Sequence, residues 1–191
     1  MDRREHLITA AISVIAAVGV EGASTRRIAE EAGAPLATLH YCFESKEQLF
    51  LDVFDRILAS HREDTSLIDG RGRSVGDVAD MLLTRTLEWG MRNPDHARAE
   101  LDLALWASRQ ESGLGVRMYA MFSDVWAGML LLAAPEEAEE ALLSSVRLIM
   151  ALADGLGMQM LANDDHEQTR RDTAEASAML AAHLRRRHGR S

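Results

Sequence analysis

Apolar residues recur at three- and four-residue spacing almost from one end of the chain to the other, and no alternating strand pattern of useful length interrupts them. Three prolines (Pro35, Pro94 and Pro135) and glycine-rich breaks, most clearly DGRGRSVGD at 69–77, cut the pattern into segments. These predict nine helices, over about 2–18, 25–32, 36–42, 46–66, 75–92, 95–109, 112–133, 136–162 and 165–187. The expected fold class is all-α. In the first segment Leu7, Ile8, Ala11, Ile12, Ile15 and Val18 share one side of an amphipathic helix, which argues against a signal peptide. No segment is expected to be long and apolar enough to cross a membrane.

The most specific stretch is STRRIAEEAGAPLATLHYCFESKEQLF, Ser24 to Phe50. Ser24 suits an N-cap, and Ile28, Ala29 and Ala32 form a short apolar stripe. Gly33 tolerates the left-handed conformation that ends a helix, and Pro35 restarts one with φ preset. Leu39 and Phe43, four apart, point to the core, leaving Leu36, Ala37, Thr38, His40 and Tyr41 outward. Two short helices around a glycine turn, with a third helix following, present one helix to the DNA major groove.

This run resembles the N-terminal DNA-binding domain of TetR-family transcriptional regulators, through RRIAEEAG, then Leu39, His40, Tyr41, Cys42 and Phe43, then the Ser45–Lys46 pair that opens the next helix. The resemblance covers about the first quarter of the chain. It implies a three-helix helix-turn-helix domain at 1–48 and a C-terminal helical domain for ligand binding and dimerisation at 49–191. By the same resemblance Leu36, Ala37 and Thr38 approach base edges, and His40 and Tyr41 contact phosphate or bases. Thr25, Arg26 and Lys46 hold the DNA backbone and fix register. Pro35, His40 and Cys42 depart from the family's common residues, so the base code stays open.

The C-terminal part holds Trp89, Trp106 and Trp126 and nine of the ten methionines. Met118, Met121, Phe122, Val125, Trp126 and Met129 share one side of segment 112–133. Such a stripe suits plain core or an adaptable apolar pocket. The resemblance favours a pocket, lined also by Trp89 and Trp106 and with Asp102 as an orienting polar group. In the last two segments Val146, Ile149, Met150, Ala153, Leu156, Gly157 and Met160, with the small residues Ala178 and Ala181, suit a helix–helix interface. The family dimerises through its last two helices, which implies a homodimer there. A dimer reads a palindromic operator, and a mainly apolar effector releases it, most family members being repressors.

Charge qualifies this picture. The net charge is −9, and residues 1–50 carry five Lys/Arg (Arg3, Arg4, Arg26, Arg27 and Lys46) against seven Asp/Glu. A DNA-binding unit usually has a basic footprint. Affinity is therefore expected from a few groups near helix N-termini, Arg26 and Lys46, with Glu30 and Glu31 at the far end of the same helix as Arg26. Lys46 stands alone among twenty arginines. The basic tail, Arg185, Arg186, Arg187, His188 and Arg190, complements the dipole of the last helix. A lone cysteine, Cys42, fits a reducing cytoplasm and excludes a disulfide framework. No metal-ligand spacing, nucleophile elbow or phosphate-binding glycine loop appears, so neither enzyme, metal site nor cofactor is expected. The competing reading is a helical dimeric adaptor that retains the helix-turn-helix as scaffold only.

Overall fold

The computed structural model describes residues 2–189, so Arg190 of the basic tail lies outside the described residues. Among these the chain forms nine helices and no strand: α1 (Arg3–Gly22), α2 (Thr25–Glu31), α3 (Leu36–Cys42), α4 (Lys46–Thr65), α5 (Val75–Arg92), α6 (Pro94–Ser108), α7 (Leu114–Ala133), α8 (Glu139–Asn163) and α9 (His166–His188). They pack into two compact units, one of residues 1–60 and 93–119 and the other of residues 61–92 and 120–191. Both α4 and α7 run from one unit into the other.

In the first unit α1 buries Leu7, Ile8, Ala11, Ile12 and Ile15, the stripe its spacing predicts. Val18 stays 44% exposed, because Gly19 follows it at φ 74°, a left-handed conformation that breaks the helix before one more turn. Ile28, Leu39, Phe43, Leu49, Phe50, Val53, Ile57 and Leu103 are also buried there. In the second unit α5 lies against α9 at very short range. A Cβ on Gly76 would sit 2.4 Å from the Ala181 carbonyl oxygen, so only glycine fits. Arg185 pairs with Asp77 at 2.8 Å, and Ser177 hydrogen-bonds Asp80 across the same seam. Arg187 donates to Ser144 Oγ at 3.2 Å, so the basic residues of α9 hold side chains as well as the helix end.

Three helices are long and apolar enough to cross a membrane by length and composition alone: α1, α7 and α8, with mean hydropathies of 1.4, 1.2 and 1.5. This corrects the expectation that none would be. Hydroxyls had counted against α1, but Thr9 and Ser13 donate to the carbonyls of Glu5 (3.0 Å) and Thr9 (3.4 Å) on their own helix. A hydroxyl bonded back in this way costs an apolar helix little.

Candidate nucleic-acid interface and effector site

The segment around α3 is assembled by short-range rules. Ser24 Oγ accepts the Arg27 N–H at 3.2 Å and caps α2. Gly33, at φ 58°, turns the chain, and the Ala34 N–H closes the turn on the Ala29 carbonyl at 2.9 Å. Pro35 opens α3 with φ −58° and no side-chain cap. Ser45 Oγ caps α4 by accepting the Gln48 N–H at 3.1 Å. Leu39 and Phe43 are buried, which turns the rest of α3 outward. Leu36 is 40% and Tyr41 92% exposed, Ala37 and His40 are exposed, and Thr38 and Thr25 are half-buried. A tyrosine that exposed gains nothing from its own fold, so its ring is available to a partner.

The two cations expected to hold phosphate are both engaged. Arg26 Nε donates to Glu30 Oε1 at 2.9 Å: Glu30 is at the far end of α2, as expected, but α2 is so short that one helical turn brings the two into contact. Exposed pairs of this kind are weak and yield to a phosphate. Lys46 Nζ lies 5.0 Å from the Phe50 ring centroid and donates to the Val20 carbonyl at 3.4 Å.

Sequence reasoning missed what holds α3 from outside. Arg4 of α1 donates to the Cys42 carbonyl at the end of α3, pairs with Asp52 of α4, and lies 4.5 Å over the Phe43 ring. His6, two residues further along α1, hydrogen-bonds the Ala32 carbonyl at the end of α2 at 2.8 Å through Nε2. A carbonyl only accepts, so Nε2 carries the proton. The ends of both helices are thus fixed by the first turns of α1. No sequence spacing announces this, since Arg4 and Cys42 are 38 residues apart.

Two of the expected pocket residues bear on α1 and α4 instead. Asp102 of α6 accepts the Val20 N–H at 2.5 Å, just beyond the Gly19 break. Trp106 meets Phe50 edge to face, with centroids 5.2 Å apart. Met118 is buried in the first unit.

In the second unit His61 is ringed by aromatics. Its centroid lies 5.1 Å from Trp89, 5.5 Å from Phe122 and 6.0 Å from Trp126. Its Nε2 lies 3.1 Å from Thr86 Oγ1, and that hydroxyl donates to the Leu82 carbonyl, so His61 Nε2 is the donor of the pair. Burial pushes His61 down to about 4 against the opposing pull of Asp64, and the imidazole is neutral at neutral pH. The sequence did carry a signal for His61: it continues the buried stripe Phe50, Phe54, Ile57 along α4. Of the remaining pocket candidates, Met121, Val125 and Met129 are half-buried on the same helix as Phe122 and Trp126.

The interface candidates divide. Val146, Ile149, Met150, Ala153, Met160 and Ala181 are buried within the chain, Leu156 and Gly157 are half-buried, and Ala178 is exposed. The large apolar residues left open on α8 and α9 are Leu148, Met158 and Met179, at 39%, 57% and 62% exposure. Gly155, in mid-helix, has open space where a Cβ would be.

The family model described as bacterial regulatory proteins, tetR family, matches residues 7–53. The HTH-type nicotine-responsive transcriptional repressor HdnoR of Paenarthrobacter nicotinovorans is 31% identical over 169 residues, covering 85% of this chain and 86% of that protein. Among solved structures, a transcriptional regulator from Rhodococcus sp. Rha1 superposes with a TM-score of 0.75 at 19% identity over 97% of each chain, a likeness of fold. The multidrug binding protein EbrR in complex with imidazole gives 0.60 at 25% identity, over 92% of this chain and 95% of that one. A capped, glycine-turned pair of short helices and a relative of this identity over most of both lengths lead to one conclusion: the chain belongs to the TetR family of DNA-binding transcriptional regulators.

Proposed function

We propose that this regulator is a cytoplasmic repressor that binds a palindromic operator as a homodimer and is released by a mainly apolar small molecule. Residues 1–48 serve as the DNA-binding domain and 49–191 as the effector-binding and dimerisation domain. The observation that carries the reading is α3, whose Leu36, Ala37, His40 and Tyr41 are exposed while Leu39 and Phe43 anchor it. Leu36 and Ala37 offer apolar contact to thymine methyls, and Thr38 a hydroxyl to a base edge. Tyr41 and His40 contact phosphate or bases, and Thr25, Arg26 and Lys46 hold the backbone, the last two by exchanging their present partners for phosphate.

Dimerisation is assigned to the face of α8 and α9 that carries Leu148, Gly155, Met158, Ala178 and Met179, beside the expected Leu156 and Gly157. Two copies joined there present two recognition helices ~34 Å apart or a multiple of it, one per half-site. The effector site is assigned to the cluster of Trp89, Phe122 and Trp126, with Met121, Val125 and Met129 as adaptable neighbours. A relative that is nicotine-responsive and a neighbour that holds imidazole support a small-molecule effector.

Selection of DNA by the purified protein, followed by footprinting, tests the proposal. An inverted repeat is expected, with binding lost on Tyr41→Ala and weakened on Lys46→Ala. Failure of any sequence to emerge would favour the adaptor reading.

A further inference from the structure

We propose that Asp102 and Trp106 of α6 are positioning residues for the Lys46 contact to the operator backbone, so that DNA binding depends on side chains far outside the helix-turn-helix segment. This rests on the assignment of Lys46 to phosphate and deepens it.

A lysine ammonium is a point charge on a flexible four-carbon stem, and ordering that stem on binding costs part of what its contact contributes. Lys46 is half-buried and already placed. Its Nζ donates to the Val20 carbonyl of α1 at 3.4 Å and lies 5.0 Å from the centroid of the Phe50 ring, one turn further along α4. The carbonyl is a long partner, so a phosphate oxygen replaces it readily and meets an ammonium that needs little ordering.

Both groups that place Lys46 are in turn held by α6. Val20 and Phe50 are 1% and 0% exposed. Asp102 accepts the Val20 N–H at 2.5 Å, a charge-assisted bond made where Gly19 has left helical geometry. Trp106 meets Phe50 with ring centroids 5.2 Å apart and planes at 87°. Asp102 and Trp106 are four residues apart, so one face of α6 delivers both contacts. The contacts close a loop: Asp102 to Val20, Val20 to Lys46, Lys46 to Phe50, Phe50 to Trp106, and back along one turn of α6. Residues 93–119 also share a compact unit with residues 1–60, so α6 belongs with the helix-turn-helix by packing.

Anisotropy titration of the full-length protein against a fluorescein-labelled duplex, the sequence recovered by selection, over a range of salt tests this. Lys46→Ala should weaken binding about tenfold and lower the salt slope by about 1. Asp102→Ala and Trp106→Leu should each weaken it about fivefold and move the slope toward that of Lys46→Ala. Combined with Lys46→Ala, neither should cost anything further, because the group they position is gone. Asp102→Asn still offers an oxygen to the Val20 N–H and should recover most of the loss. Should Trp106→Leu not fold, Asp102→Ala carries the same cycle. Losses that multiply with that of Lys46→Ala, at an unchanged salt slope, would overturn the positioning role and leave the Lys46 contact standing. Wild-type affinity and slope in Lys46→Ala would instead remove the phosphate contact and this inference with it, as would a selection that recovers no sequence.

Discussion

Around α3, position is imposed by directional bonds: Arg4 on Cys42, Asp52 and Phe43, and His6 on Ala32. Around His61 the contacts are mainly ring edges and faces, and the polar network is incomplete. Directional bonds fix an orientation to fractions of an ångström, whereas dispersion contacts are individually weak and tolerate rearrangement. A surface that reads base edges needs the first kind of construction. A site that admits a small molecule and answers to it is better served by the second.

The contrast can be broken most severely at Leu39, the buried anchor of α3. Leu39→Ala should cost about 3 kcal/mol in urea unfolding and abolish operator binding, since cavity formation there frees the whole helix. Arg4→Ala comes next, with about 2 kcal/mol lost and operator specificity reduced relative to random duplex. Arg4→Lys restores the charge beside Asp52 but not the fork that also reaches Cys42, so it should rescue stability better than specificity.

Acid probes the other region. His61 is held near 4 when folded, against 6.5 in its unperturbed state, so below 6.5 the unfolded chain takes up a proton that the folded chain refuses. Stability is intact above pH 6.5 and falls as pH drops toward 4, by about 2 kcal/mol between pH 7 and pH 5. His61→Gln should flatten that part of the profile. Met121→Leu, a volume-conserving change, should cost less than about 1.5 kcal/mol and leave operator affinity unaltered. The smallest expected effect is at Arg26: Arg26→Gln breaks an exposed ion pair worth less than about 1 kcal/mol, yet should lower the salt slope of DNA binding by about 1.

What was legible in the sequence follows the same division. Ser24, Gly33, Pro35, Leu39 and Phe43 announce the helix-turn-helix because caps, turns and four-residue spacing act within a few residues of chain. Most helix boundaries were readable for the same reason, although α1 runs on past the Gly19 break to Gly22 and α8 starts at Glu139 rather than at 136. Arg4, His6 and Asp52 were silent, since their partners lie tens of residues away and no local rule connects them. His61 looked like one scattered histidine among seven until folding brought Trp89 and Phe122 to it. Val146, Ile149 and Ala181 show the limit of pattern reading at an interface: apolar helical spacing marks burial but does not say whether the same chain or a second copy does the burying.

The break at Gly19 leaves Val20 held on both sides, its N–H by Asp102 and its carbonyl by Lys46. One amide proton therefore reports on three helices at once. Its exchange with deuterated solvent is slow only while α6 keeps its carboxylate seated on α1, and any sliding of α6 along α1 exposes it. In an amide spectrum Val20 would serve as a built-in gauge, read residue by residue and without a probe, of how firmly the reading head is held.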